Sequence, residues 1–107
     1  MSWVVTFLSQ AVADELTSQP ADIRARFQRI RSLFETYGLE QVRAPHVKHL
    51  EGRLWEMRMI GRDGIARAIY VTASGQRVVI VHVFAKKTQK TPRSAMALAR
   101  RRAGEVE

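Results

Sequence analysis

The sequence predicts an α+β fold: a helical hairpin packed on one face of a twisted antiparallel sheet, followed by a short C-terminal helix. Three observations predict it. Apolar residues recur at helical spacing through Ile23, Phe27, Ile30, Phe34 and Tyr37. Three runs rich in β-branched and aromatic residues follow, Leu54–Ile60 and residues 65–72 and 77–84, divided by Gly61-Arg62-Asp63-Gly64 and by Ser74-Gly75. Thr91-Pro92 then opens a last stretch whose Ala95, Met96, Leu98 and Ala99 make an apolar side.

Taken in order, residues 3–7 form a short β-branched and aromatic run, read as a strand, and Ser9 stands where a helix N-cap would. A brief helix over about residues 11–17 ends at Ser18-Gln19-Pro20, with Pro20 suited to the first turn of the next helix. Gly38 stands just past the end of that second helix. Residues 39–53 contain Pro45 and Gly52 and no clean period, so they read as a connection with an extended piece at 47–50. Residues 54–84 make a meander. Thr91 and Pro92 serve as N-cap and first residue of the final helix, which ends near Arg100-Arg101-Arg102. With 107 residues, 46% hydrophobic and 26% charged, the chain is expected to form a single domain over 1–107.

Composition narrows the function. The absence of cysteine excludes disulfide frameworks, thiol nucleophiles and cysteine-ligated metals. The first residues lack the basic and apolar regions of a secretory signal, and no stretch approaches a membrane span, so the cytoplasm is the expected compartment and no membrane partner is expected. Residues 1–51 carry six basic and six acidic side chains, whereas residues 52–107 carry twelve and four and so hold the entire net charge of +8. Fourteen of the eighteen cations are arginine, whose planar fork suits phosphate. A polyanion, nucleic acid first, is the indicated partner class.

Register arithmetic locates a candidate site. A four-residue turn at 61–64 pairs Ile60 with Ile65, so Met59 faces Ala66, Met57 faces Ala68 and Trp55 faces Tyr70, partners fit to lie under the helices. On the other face Arg58 meets Arg67, a like-charge pair that costs up to about 1 kcal/mol and needs a compensating reason. A two-residue turn at Ser74-Gly75 pairs Ala73 with Gln76 and brings His82 opposite Arg67. Arg58, Arg67 and His82 then form a row across three strands, with Glu56 one strand-step away. The row reads either as a phosphate site or as a solvated sheet face on which Glu56 neutralises an arginine. Lys86, Lys87, Lys90 and Arg93, with Thr88 and Gln89 between them, read as a basic loop or as a phosphate clamp beside the row. The triple arginine complements the helix dipole or makes a second backbone contact. His46 and His49 lack further ligand spacing, so surface or packing roles are preferred to zinc and no metal is expected.

The runs 50–58, 64–70 and 82–92 resemble the RelE/ParE superfamily of toxins, and more closely the HigB-like, phage-derived branch of type II toxin–antitoxin systems. The resemblance covers nearly the whole chain and is most distinctive over 86–92. It implies a RelE-like fold and, for RelE and HigB members, cleavage of mRNA in the ribosomal A site without metal or other cofactor. There the ribose 2′-OH attacks the adjacent phosphate and expels the 5′-oxygen. Carried onto this chain, it implies that Arg58 and Arg67 grip the scissile phosphate and stabilise its transition state and that Lys86 and Lys87 are the basic residues following the last strand. Glu56 or His82 is expected to move the proton, and Thr88, Gln89, Lys90 and Arg93 of the basic loop are expected to hold RNA with Lys86 and Lys87. Some RelE-type enzymes use a tyrosine near the C-terminus, and this chain has none after Tyr70.

The leading expectation is a toxin that acts as a ribosome-dependent endoribonuclease, an mRNA interferase inhibiting translation. Its expected partners are the ribosome, A-site mRNA and a cognate antitoxin, often a helix-turn-helix DNA binder in this branch. The alternatives are a ParE-like toxin that binds DNA gyrase without nuclease activity and a non-catalytic RNA-binding module, because a fold does not choose among them.

Overall fold

The computed structural model describes residues 2–86 and 90–106. Strand β1 (Val4–Phe7) leads into helices α1 (Gln10–Thr17) and α2 (Ala21–Tyr37), and a 3-10 turn (Leu39–Gln41) leads out of them. Strands β2 (Val47–Glu51), β3 (Leu54–Ile60), β4 (Ile65–Ala73) and β5 (Arg77–Lys86) follow, and helix α3 (Arg93–Ala103) closes the chain. Among the described residues no helix is long and apolar enough to cross a membrane.

The local signals act largely as the sequence implies. Ser9 caps α1, its hydroxyl accepting from Val12 N–H. The spacing of Ile23, Phe27, Ile30 and Phe34 buries one face of α2, and Gly38 ends the helix at φ 90°, a conformation that favours glycine. Asp22 in the first turn of α2 accepts from the backbone N–H groups of Ile23 and Arg62, which ties this helix to the β3–β4 turn. Thr91 departs from its expected capping role. Pro92 occupies the capping position of α3, and the Thr91 hydroxyl donates to Glu56 instead.

The sheet is five-stranded and mixed, in the order β1-β5-β4-β3-β2. Only β1 departs from the antiparallel expectation: it runs parallel to β5, Val4 beside Arg77 and Phe7 beside Ile80. Between the two in sequence lie the helical hairpin and strands β2 to β4, a connection far longer than the roughly dozen residues that a parallel pair requires. Strand alternation makes two cores. On the first face Met57, Met59, Ala68, Tyr70 and Ile80 pack against Phe27, Ile30 and Phe34 of α2 and Val12 and Leu16 of α1. On the second face Ile69, Val71, Val79 and Val81 pack against Ala99 and Ala103 of α3. The small alanines let α3 lie close to the strands, and each large apolar side chain buried adds about 1.5–3 kcal/mol.

The β3–β4 register is the one counted from the sequence: Ile60 with Ile65, Arg58 with Arg67, Trp55 with Tyr70. The β4–β5 register differs. Ala73 pairs with Arg77, not Gln76, because the turn holds three residues, with Gly75 at φ 80° and Gln76 at φ 57°. A bulge then follows: Tyr70 pairs with Ile80 but Ile69 with His82, which leaves Val81 as the extra residue. Each irregularity shifts the pairing by one residue. Their combined shift is even, so His82 keeps its predicted face but moves along the strand, and Phe84, not His82, lies opposite Arg67.

Candidate nucleic-acid interface

Helix α3 covers only part of the second sheet face. From its margin outward run cross-strand rows of different chemistry: Lys48, Glu56, Ile69 and His82, then Arg58, Arg67 and Phe84, then Ile60, Ile65 and Lys86. Glu56 is therefore boxed in by cations from neighbouring strands. It is 1% exposed and Arg67 is 6% exposed, and the two form a direct ion pair. The other carboxylate oxygen accepts from the Thr91 hydroxyl at 3.1 Å. This pair supplies the compensation that the opposed Arg58 and Arg67 require. It also revises two expectations. Glu56 is a buried counter-ion, not an exposed one, and Arg67 lies beneath the surface with little of its guanidinium open to a ligand.

Arg58 is half-buried and more accessible, and Lys48 is exposed. The Nε atoms of Arg58 and Arg67 are buried without a hydrogen-bond partner among the described residues. A buried donor left unpaired costs about 1–3 kcal/mol, so the site gains if an anion draws these side chains outward. Lys86, at the end of β5, feels the same surroundings. Burial first, then Arg67, Lys48 and Arg58 acting against the opposing pull of Glu56, hold its ammonium below the ordinary lysine value. Arg67 is lowered in the same way, by burial and by Arg58, with Glu56 opposing. Lys48, Glu56, Lys86, Lys90 and Thr91 line a cleft of about 250 Å³. Arg93 is exposed at the start of α3. Lys87, Thr88 and Gln89, also expected to hold RNA, lie outside the described residues.

His82 belongs to a different cluster. Strand β5 extends past the end of β1, so the outward N–H of Val83 and C=O of Val81 have no strand beside them. The Glu15 carboxylate accepts from Val83 N–H at 3.0 Å, and Arg102 donates to the Val81 carbonyl at 2.8 Å. Glu15 also meets His82 Nδ1 at 2.9 Å and Arg102 at 2.9 Å. These side chains cap an open sheet edge. His82 thus does not join the arginine row, and Arg102 is spent on the edge while Arg100 pairs with Glu51 at 3.0 Å. His49 also has a local role, its Nε2 lying 2.8 Å from the Gly52 carbonyl.

The Glu15 network has a measurable signature. Burial acts to raise the Glu15 pKa, but the hydrogen bonds from Val83, His82 and Arg102 outweigh it and bring the carboxyl below its ordinary 4.5. The folded value is below the unfolded one, so this contribution is present above pH ~4.5 and is lost as pH falls through the folded pKa. Glu15→Gln is expected to flatten the fall in thermal stability between about pH 5 and pH 3, as followed by circular dichroism.

Two contributors escape the sequence count. Lys48 would have surfaced had β2 been paired with β3, since it lies opposite Glu56. Glu15 carries no local signal, because its partners His82 and Arg102 are distant in sequence.

A family model described as Phage derived protein Gp49-like matches residues 14–104. Among solved structures, the chain is similar to one in the crystal structure of the archaeal RelE-RelB complex from Pyrococcus horikoshii OT3. That match has a TM-score of 0.62 and 23% sequence identity, and covers 79% of this chain and 96% of the other. At this identity the likeness concerns the fold. Comparison with curated proteins gives no significant match.

Proposed function

The chain belongs to the Gp49-like family of phage-derived proteins, within the RelE toxin superfamily, and on that premise we propose that it is an antitoxin-controlled toxin that cuts mRNA on the ribosome. The observation that carries this reading is the cationic end of the second sheet face. Lys48, Lys86 and Lys90 line a cleft that also reaches Glu56, and Glu56 is paired with Arg67, which faces Arg58 on the neighbouring strand. That arrangement suits a phosphodiester. Arg58 and Lys86 flank the scissile phosphate, while Arg67, fixed from below by Glu56, adds positive charge where the transition state gains negative charge.

The 2′-oxygen bonds to phosphorus, the bond to the 5′-oxygen breaks, and the 2′-proton must leave as another reaches the 5′-oxygen. Glu56 and His82 are sequestered by their partners, so the proton-transfer role passes to Lys86. Its lowered pKa in the free protein brings the neutral amine closer to reach than for an ordinary lysine. Lys90 and Arg93 extend the phosphate track toward α3, and the RNA-holding role expected of Lys87, Thr88 and Gln89 belongs to the same reading. The whole of 1–107 acts as one toxin domain in the cytoplasm, where the ribosomes are. Its antitoxin, often a helix-turn-helix protein in this branch, silences it by covering the same cationic face.

In vitro translation with the purified chain, followed by mapping of message ends, tests the proposal. Cuts that appear only on translating ribosomes are the expected result. Intact messages accompanied by inhibition of gyrase supercoiling would transfer the chain to the ParE type, and salt-sensitive RNA binding without cleavage would leave a binding module.

A further inference from the structure

We propose that a second cleft, on the helix-covered sheet face beside Trp55, receives an unpaired nucleobase of the RNA strand whose phosphate lies at Arg58 and Lys86; this rests on the nuclease reading above. The alternation of β3 turns Glu56 and Arg58 to the second face and Trp55 to the first, where it lies opposite Tyr70. Trp55 nevertheless remains 38% exposed, contrary to its expected place under the helices. Helix α2 ends at Tyr37, and the segment after it contributes Leu39, Val42 and Arg43 to the lining of a cleft shared with Trp55. The resulting cleft is about 680 Å³, with Val42, Val47, Trp55 and Tyr70 among its walls and Arg43 and Lys48 at its rim, alongside one carboxylate, Glu40. The His49 ring meets Trp55 at 4.9 Å and a 58° tilt, which holds an aromatic wall at the sheet margin.

Two observations favour a nucleic acid over an apolar protein segment. The first is continuity: Lys48 and His49 line both this cleft and the phosphate cleft, because β2 is the outermost strand and separates one face from the other. A strand leaving Arg58 and crossing the β2 margin keeps its phosphates beside Lys48 and delivers a base to Trp55. The second is composition. Flat aromatic surface flanked by cations is what single-stranded RNA recognition uses, and the π-face of a base stacks where its phosphates are neutralised.

Trp55 itself supplies the reporter. In a Trp3→Phe variant it is the sole tryptophan, and its emission should be quenched saturably by hexaadenylate at low salt but not by tripolyphosphate, which has charge without bases. Trp55→Ala should weaken hexaadenylate binding, read by anisotropy of labelled RNA, about tenfold, and Trp55→Phe should restore most of it. RNA binding that depends on Arg58 yet is indifferent to Trp55→Ala would overturn the base pocket and leave the nuclease reading intact. No RNA binding and no ribosomal cleavage would overturn both. Emission that responds only to an acidic peptide would reassign the cleft to a protein partner.

Discussion

Arg58→Ala should reduce ribosome-dependent message cleavage by two to three orders of magnitude while leaving the protein folded. The magnitude is that of removing one charged or hydrogen-bonding donor from a preorganised site for a developing oxyanion, about 3–4 kcal/mol. Arg58 carries the larger share because it is the more accessible of the facing pair, whereas Arg67 is committed to Glu56. Stability should move little, since removing Arg58 also relieves its repulsion with Arg67, whose pKa it helps lower. Primer extension on messages recovered from translation reactions gives the rate, and a thermal melt gives the fold. Cutting at the unsubstituted rate by a folded Arg58→Ala protein would move the active surface elsewhere.

Glu56→Ala should cause the largest loss of stability of any single change at this face. It leaves Arg67 charged, buried and without its counter-ion, a defect that costs about 3–5 kcal/mol. For a chain of this size the melting temperature should fall on the order of 10–20 °C. Replacing both partners with methionine should recover most of that loss, because two buried charges are exchanged for apolar volume. Glu56→Gln separates support from chemistry. It retains an acceptor for the Thr91 hydroxyl and much of the packing, so a folded Glu56→Gln protein that still cuts would identify Glu56 as a holder of Arg67 and of the segment entering α3. Loss of the combined Met–Met rescue would indicate that the ion pair contributes specific geometry beyond its volume.

What the sequence disclosed here follows from which features are local. The period of Ile23, Phe27, Ile30 and Phe34 and the caps at Ser9 and Gly38 are written within a few residues, and the helices appear where they imply. The β3–β4 register was legible because Gly61 to Gly64 holds a regular four-residue loop, and the facing of Arg58 and Arg67 follows from it. The β4–β5 register was not legible. Gln76 adopts positive φ without being glycine, and Val81 differs in no visible way from the valines around it. Whether a residue is paired or bulged is decided by its neighbours in space. The burial of Glu56 escaped detection for the same reason: Arg67, Lys48 and Thr91 reach it from three other segments. The parallel placement of β1 depends on where the helical hairpin returns the chain, which no residue of 4–7 specifies.

The bonds from Arg102 to Glu15 span a sequence separation of 87 residues. Contacts this remote form only once both partners exist, and loop closure over such a distance is slow. A nascent chain can assemble the α2 packing and the β3–β4 hairpin while still being synthesised, but the β5 margin stays unsealed until residue 102 has left the ribosome. Closure of this margin therefore comes later than assembly of the α2 packing, which gives any chaperone or partner protein an interval in which to reach the uncapped edge.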